Sequence, residues 1–74
     1  MFKKNYFYHI EWEDNEGQKR NNNGIIEKIK KVKTSVDLVS SIIPVLVEIE
    51  NEFEYETGLE FTIQKYKILA FNEV

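Results

Sequence analysis

Apolar and polar side chains alternate along the chain between positions 5 and 12. A period of two places successive side chains on opposite faces of an extended chain, and here it is built from aromatic and branched residues. The pattern therefore predicts a first β-strand over residues 5–12. The residues predicted to share its core-facing side are Tyr6, Tyr8, Ile10 and Trp12.

A turn and a second strand are predicted to follow. The sequence Asp14-Asn15-Glu16-Gly17 has the residue types that favour a tight reversal. The second strand is predicted over residues 18–27, although apolar residues begin only at Gly24-Ile25-Ile26. Its first half is therefore expected to be an exposed or bulged edge, with a loop over residues 21–24 as the alternative.

A helix is predicted to begin at Ser35. Thr34 and Asp37 have the spacing of a capping box, in which both side chains bond backbone amides at the start of a helix. Where this helix ends is less clear from the pattern, because residues 45–56 fit two structures.

As a helix, residues 38–53 place seven apolar residues on one arc at spacings of three and four. Pro44 opposes an unbroken helix, since it removes an amide and clashes with the preceding turn. As a strand, apolar residues alternate with glutamates over 45–55, and a turn at Thr57-Gly58 makes a hairpin. Glutamate favours the helix, and Gly58 suits its C-terminal cap. The residues on the helical arc are Leu38, Val39, Ile42, Val45, Leu46, Ile49 and Phe53.

The last strand is predicted over residues 59–71, central in the sheet and paired with the first. Its alternation changes phase at Gln64-Lys65, which predicts a bulge there. The whole chain, residues 1–74, is thus expected to form one α+β domain. The predicted fold is a three-stranded antiparallel sheet with one helix, kinked near Pro44, packed on it (ββαβ). The alternative is ββαββ, with residues 45–55 as a strand.

Charge is distributed unevenly along this chain of net charge −3. Glutamate occupies every second position from Glu48 to Glu56, and no Lys or Arg lies between Val36 and Gln64. Six of the ten basic residues lie between Lys19 and Lys33. A bipolar surface of this kind indicates electrostatically guided binding.

The sequence offers little for catalysis. It has no cysteine and one histidine, His9, which shares a strand face with Glu11. No nucleophile–base pair, phosphate-binding loop or metal-ligand spacing is present. We therefore expect a non-enzymatic protein with no cofactor, no metal and no small-molecule substrate.

Neither a membrane segment nor a signal peptide is expected. The longest apolar window, residues 42–47, is far shorter than the ~20 residues that cross a bilayer. His9, Glu11 and Glu13 interrupt the N-terminal segment early. The predicted location is the cytoplasm. Because so small a domain buries little of its surface, a homodimer is also predicted.

The favoured hypothesis is a protein-binding module that docks on another protein. An acidic contact and an apolar anchor would supply the binding. The predicted contact residues are Glu48, Glu50, Glu52, Glu54, Glu56, Tyr8 and Trp12. The alternative is binding of nucleic-acid phosphates. Its predicted residues are Lys19, Arg20, Lys28, Lys30, Lys31 and Lys33.

The chain also resembles short phage-encoded ββαβ proteins of Gram-positive hosts. The residues that carry this resemblance are Tyr6, Tyr8, Ile10, Trp12, Gly17, Gly24, Asp37, Leu38, Tyr66 and Leu69. In element order it is similar to the phage inhibitors of uracil-DNA glycosylase, which are acidic homodimers that imitate DNA. The resemblance implies docking on a host or phage protein in the host cytoplasm, and it assigns no functional residue.

Overall fold

The computed structural model describes residues 3–74. Two strands come first, β1 (Lys4–Glu13) and β2 (Lys19–Lys28). Helix α1 (Ser35–Thr57) and strand β3 (Tyr66–Glu73) follow. The strands form one antiparallel sheet in the order β2-β1-β3. The predicted ββαβ fold is therefore confirmed, and the ββαββ alternative is wrong.

Helix α1 begins and ends at the predicted caps. Asp37 accepts hydrogen bonds from the Thr34 amide at 3.1 Å and the Lys33 amide at 3.2 Å, and the Thr34 hydroxyl accepts from the Asp37 amide. These bonds, led by the one from Lys33, hold the pKa of Asp37 below its ordinary value. At the other end Gly58 has φ of 73°, a left-handed conformation that glycine adopts without steric cost.

The helix continues through Pro44, which lies in its interior. Pro44 and Ser40 are both exposed, so water can bond the Ser40 carbonyl that the missing proline amide leaves without a helical partner. Ser41 is buried and donates from its hydroxyl to the Asp37 carbonyl at 2.8 Å. It is therefore an interior helix residue.

The core lies between α1 and one face of the sheet. The predicted face of β1 is the one that is covered, with Ile10 fully buried and Tyr6 and Trp12 nearly so. From the helix, Ile42 is also fully buried. The remaining core residues are Val45, Ile49 and Phe53, with Phe61, Ile63 and Ile68 packed beside them.

The turn between β1 and β2 is organised by Asp14, which is 8% exposed. Its carboxylate accepts from the amides of Glu16 and Gln18 at 2.9 and 3.0 Å, and from Arg20 Nε at 2.9 Å. Burial alone would raise the pKa of Asp14, but these three bonds outweigh it and the pKa is lowered. The alternative of a loop over residues 21–24 is wrong, because this stretch continues the predicted strand as part of β2, in register with β1.

Two predictions for the last strand need correction. The central strand is β1, and β3 lies at an edge of the sheet. The bulge lies not at Gln64-Lys65 but at Leu69, because His9 pairs with Ala70 while Ile10 pairs with Ile68. Residues 59–65, the return segment, are not a strand. The amides of Phe61 and Ile63 are bonded to the helix, as described below, and the Lys65 carbonyl accepts from the Glu13 amide of β1 at 3.2 Å.

Candidate functional site: two glutamate rows on helix α1

The glutamate run divides into two rows when it is wound into a helix. A helix turns about 100° per residue, so side chains four positions apart lie on the same side. Alternate positions therefore fall into two rows, one on each flank of the buried Val45, Ile49 and Phe53 side chains. The β2-side row is Glu48, Glu52 and Glu56, and the β3-side row is Glu50 and Glu54.

The β3-side row is bonded to the protein's own backbone. Glu50 Oε2 accepts a hydrogen bond from the Ile63 amide at 2.7 Å. Glu54 Oε2 accepts from the Phe61 amide at 3.1 Å. Both glutamates are half-buried. These two bonds hold the return segment against the helix.

The spacing of these bonds explains why both can form. Carboxylates four residues apart on a helix are separated by about 6 Å along its axis. Amides two residues apart in an extended chain are separated by about 6.6 Å. The return segment runs back along the helix, so Phe61 meets Glu54 and Ile63 meets Glu50. Glu50 and Glu54, which were predicted to contact a partner, thus each bind a backbone amide through one carboxylate oxygen.

The β2-side row is exposed to solvent. Glu48, Glu52 and Glu56 are all exposed, and none forms an ion pair with a cation among residues 3–74. Glu52 and Glu56 line a groove of about 340 Å³ between the helix and β2. The other lining residues are Trp12, Arg20, Asn21, Asn22, Ile49 and Phe53.

Tyr8 lies in the sheet near this row and is half-buried. Its burial, followed by the negative charges of Glu48 and Glu52, raises the pKa of its phenol above the ordinary value. The Tyr8 ring lies against Gly24 of β2, where an added Cβ would come within 3.0 Å of the phenol oxygen. Tyr8 is thus held in place beside the acidic row.

Trp12 was predicted to be an apolar contact for a partner, but its side chain lies in the core. It is 5% exposed, and its Nε1 donates to Asn22 Oδ1 at 2.8 Å. Its ring meets Phe53 edge-on at 6.0 Å and Phe61 at 5.7 Å. The indole belongs to the core because the helix and the return segment both cover it.

The structure separates the six predicted basic residues into two groups. Lys19 and Arg20 lie at the turn end of β2, and Lys28 lies at the other end, which ten strand residues place about 30 Å away. Lys30, Lys31 and Lys33 continue from Lys28 toward the start of α1. These six residues do not form one patch.

Arg20 has a structural role. Its guanidinium is paired with Asp14 and lies 5.8 Å from the Trp12 ring centroid and 5.5 Å from that of Phe53. It closes the groove at the turn end of the sheet. An Arg held in this way is a weaker candidate for a phosphate contact than an exposed Lys.

The charges near the two ends of α1 mostly have the same sign as the helix dipole at that end, so they do not compensate it. A helix is stabilised by anions at its N-terminus and cations at its C-terminus. Lys30, Lys31 and Lys33 precede α1, and its last turn contains no basic residue while the glutamates lie nearby. Asp37 is the acidic residue of the first turn. The helix dipole therefore adds to the bipolar charge distribution of the molecule.

Some residues of this region were not singled out from the sequence. Asn22 bonds the indole and lines the groove, and only the strand register places it there. His9, which was named from the sequence, approaches Asn21 Oδ1 at 3.2 Å. The position of Asp14 in a turn was predictable, because Asp followed by Gly three positions later is typical of a turn.

A second surface of α1 was also missed, although its spacing was available. Four exposed apolar residues at intervals of three, four and four lie away from the core: Val36, Val39, Ile43 and Val47. The placement of Val39 on the predicted apolar arc is therefore corrected. We call the four residues the apolar stripe. A helical projection of residues 36–47 separates the stripe from the core positions.

Comparison of the chain with protein-family models, curated proteins and solved structures found no match. Within residues 3–74, no helix has the length and apolar character needed to span a membrane. In the same part of the chain, no group of three or more His, Cys, Asp or Glu residues is arranged to hold a metal ion.

Proposed function

We propose that this protein is a non-enzymatic binding module that docks on another protein through the β2-side row. Glu48, Glu52 and Glu56 supply the acidic contact, and Tyr8 lies beside them. The complementary partner surface carries lysine or arginine side chains. In the phage setting that the sequence resemblance implies, the partner is a host or phage protein in the host cytoplasm.

The observation that carries this proposal is that the β2-side row lacks compensating charge. Like charges at a spacing of four destabilise a helix by about 0.2–0.5 kcal/mol per pair. Glu56, in the last turn, adds an unfavourable interaction with the helix dipole of about 0.3–1 kcal/mol. The described structure offers these three residues no internal ion pair in return. A role in recognition explains their presence where folding does not.

The arrangement also suits binding physically. The three carboxylates lie along about two turns of a helix that is capped at both ends, by Thr34 with Asp37 and by Gly58. A partner that binds them therefore loses little entropy in ordering this surface. The groove beside Glu52 and Glu56 has room for the end of one long cationic side chain.

The test is capture of a partner by the wild-type protein and by two variants. One variant changes Glu48, Glu52 and Glu56 to Gln. Its matched control changes Glu13, Glu16 and Glu60 to Gln, so both variants move the net charge from −3 to 0. Captured proteins are identified by mass spectrometry, and the dissociation constant of the purified partner is then measured by calorimetry at two salt concentrations.

We expect the first variant to lose the partner, with a dissociation constant at least about tenfold higher than that of the wild type. The control should retain the partner. Binding by the wild type should also weaken as salt rises. Equal binding by the two variants would remove the β2-side row from the contact.

A second candidate function is binding of nucleic-acid phosphates, which one observation favours. Lys28 ends β2, and Lys30, Lys31 and Lys33 follow it in the short segment before α1. None of the four forms an ion pair within the described residues. Phosphate contacts predict affinity that falls steeply with salt. Gel-shift assays on single- and double-stranded DNA and RNA test this function. No shift at micromolar protein and low salt would exclude it.

A further inference from the structure

The apolar stripe runs along nearly the whole first half of α1. Val36 is 72% exposed, Ile43 51% and Val47 47%, so three large apolar side chains face solvent in a row, with Val39 between them. Contiguous exposed apolar surface of this kind marks an interaction site more often than scattered apolar residues do. It lies on the same flank as the β3-side row, Glu50 and Glu54, but nearer the helix N-terminus.

The return segment covers only the second half of this flank. Phe61 and Ile63 pack there and are tied to Glu54 and Glu50. No described segment of the chain covers the first half in the same way, because β3 leaves the helix and joins the sheet beside β1. The apolar stripe is therefore exposed where the corresponding C-terminal surface is covered.

We infer that the occupant of the apolar stripe is a second copy of this chain, packed with its α1 antiparallel to the first. In this arrangement Val36 of one copy lies against Val47 of the other, and the stripes cover each other. The contact is the same on both copies, as a two-fold axis requires. The axis passes through the middle of the stripe, near Ser40 and Ile43.

Charge complementarity supports this occupant and this direction. Lys30, Lys31 and Lys33 precede the N-terminal end of α1, and Glu50 and Glu54 lie in its second half, on the same flank as the stripe. Antiparallel packing therefore brings the lysine end of each copy to the glutamate end of the other. The two helix dipoles are then also opposed, which is favourable. Parallel packing would instead place lysines against lysines and glutamates against glutamates.

The small size of the domain also favours a dimer. Domains of this length bury a small fraction of their surface, and pairing is a common source of additional stability. The inference is independent of the proposed function, because the β2-side row lies on the other flank of the helix and remains accessible in the pair.

The test measures self-association of the full chain by sedimentation equilibrium from about 1 to about 500 μM, a range that spans the dissociation constants of weak and moderate dimers. The stripe variant changes Val39 and Ile43 to Gln, a residue with good helix propensity. The matched control changes Ile25 and Leu69 to Thr. These two residues are similarly exposed, at 57% and 46%, but lie on strands β2 and β3. Circular dichroism of each variant verifies that the fold is retained.

We expect a dimer for the wild type and the control, and a dissociation constant at least about tenfold higher for the stripe variant. A wild type that stays monomeric at the highest concentration would overturn the inference. So would a control that dissociates as strongly as the stripe variant. If the stripe variant does not fold, Ile43→Gln alone is compared with Ile25→Thr alone under the same criteria.

A charge reversal tests the antiparallel direction. Changing Lys31 and Lys33 to Glu places glutamates against glutamates in the antiparallel pair, so the dissociation constant should rise at least about tenfold at low salt. In a parallel pair the same change replaces one like-charge contact with another and leaves the dissociation constant nearly unchanged. That second result would overturn the proposed arrangement.

Discussion

The two flanks of α1 carry the same residue at the same spacing but have different roles. On the β3 side, Glu50 and Glu54 each accept a backbone amide and hold the return segment. On the β2 side, Glu48, Glu52 and Glu56 face solvent without an ion pair among residues 3–74. The difference shows that the role of a glutamate here depends on whether a backbone with unsatisfied amides lies beside it.

The largest expected effect comes from removing the β3-side carboxylates. Glu50→Ala with Glu54→Ala should lower the free energy of unfolding by about 2–4 kcal/mol. Two hydrogen bonds to charged groups contribute about 3–6 kcal/mol together, and the half-buried position of both carboxylates reduces this. The measurement is urea denaturation followed by circular dichroism. The matched control, Glu48→Ala with Glu52→Ala, should change the unfolding free energy by less than about 0.5 kcal/mol or increase it. Equal losses in the two pairs would contradict the contrast between the flanks.

A smaller loss is expected from crowding Tyr8 on the β2 side. Gly24→Ala places a Cβ about 3.0 Å from the Tyr8 phenol oxygen, so the ring must shift. Overpacking of this kind lowers the free energy of unfolding by about 1–2 kcal/mol. Alanine is more favourable than glycine in a strand, and this offsets part of the loss. Asn23→Ala, at the exposed neighbouring position, is the control and should be nearly neutral. If thermal melts rank the two variants the other way, Tyr8 does not hold the position described.

Reversing a charge on the β2-side row should stabilise the protein. Glu56→Lys places a cation in the last turn of α1, four residues after Glu52, which is the favourable spacing and order for a helical ion pair. The expected gain in unfolding free energy is about 0.5–1 kcal/mol. Glu60→Lys makes the same charge change outside the helix and serves as the control. Partner capture by the Glu56→Lys variant should weaken even though its stability rises, which separates recognition from folding.

The smallest expected effect is on the titration of Tyr8. The pKa of Tyr8 is raised in the folded protein, so its contribution to stability is complete below the ordinary tyrosine value of about 10 and is lost as pH rises through the folded pKa. Glu48→Gln with Glu52→Gln should lower the pKa of Tyr8 toward the ordinary value and reduce this alkaline loss. Ultraviolet difference titration against Tyr8→Phe measures the shift. Glu13→Gln with Glu16→Gln is the control, and an equal shift there would mean that the β2-side row does not act on Tyr8.

The pattern of single residues was sufficient for most of the fold. The alternation of Tyr6 to Trp12 identified the buried face of β1, and Thr34, Asp37 and Gly58 identified the ends of α1. These signals are local, because a strand face or a helix cap is set by residues within a few positions. The prediction for residues 59–65 was wrong for a nonlocal reason. Their alternation is real, but the amides of Phe61 and Ile63 are bonded to helix carboxylates.

The candidate site was predicted less completely. The acidic stretch was recognised, but nothing in it distinguishes Glu50 from Glu52 until the return segment is placed along one flank. Trp12 is a common type of interface residue, yet here it is covered by Phe53 and Phe61. Lys19 and Lys33 appear in one basic segment of the sequence, but an intervening strand keeps them apart.

By itself, the sequence determined the order of strands and helix, the buried face of the first strand and the presence of an acidic helix end. Each of these depends on periodicity or on capping contacts between residues close in the chain. The tertiary structure alone decided that Glu50 and Glu54 bind backbone amides, that the Trp12 ring is covered and that the apolar stripe stays exposed. Those outcomes depend on which flank of α1 the chain returns along after Gly58, and that choice is made by contacts between segments distant in the sequence.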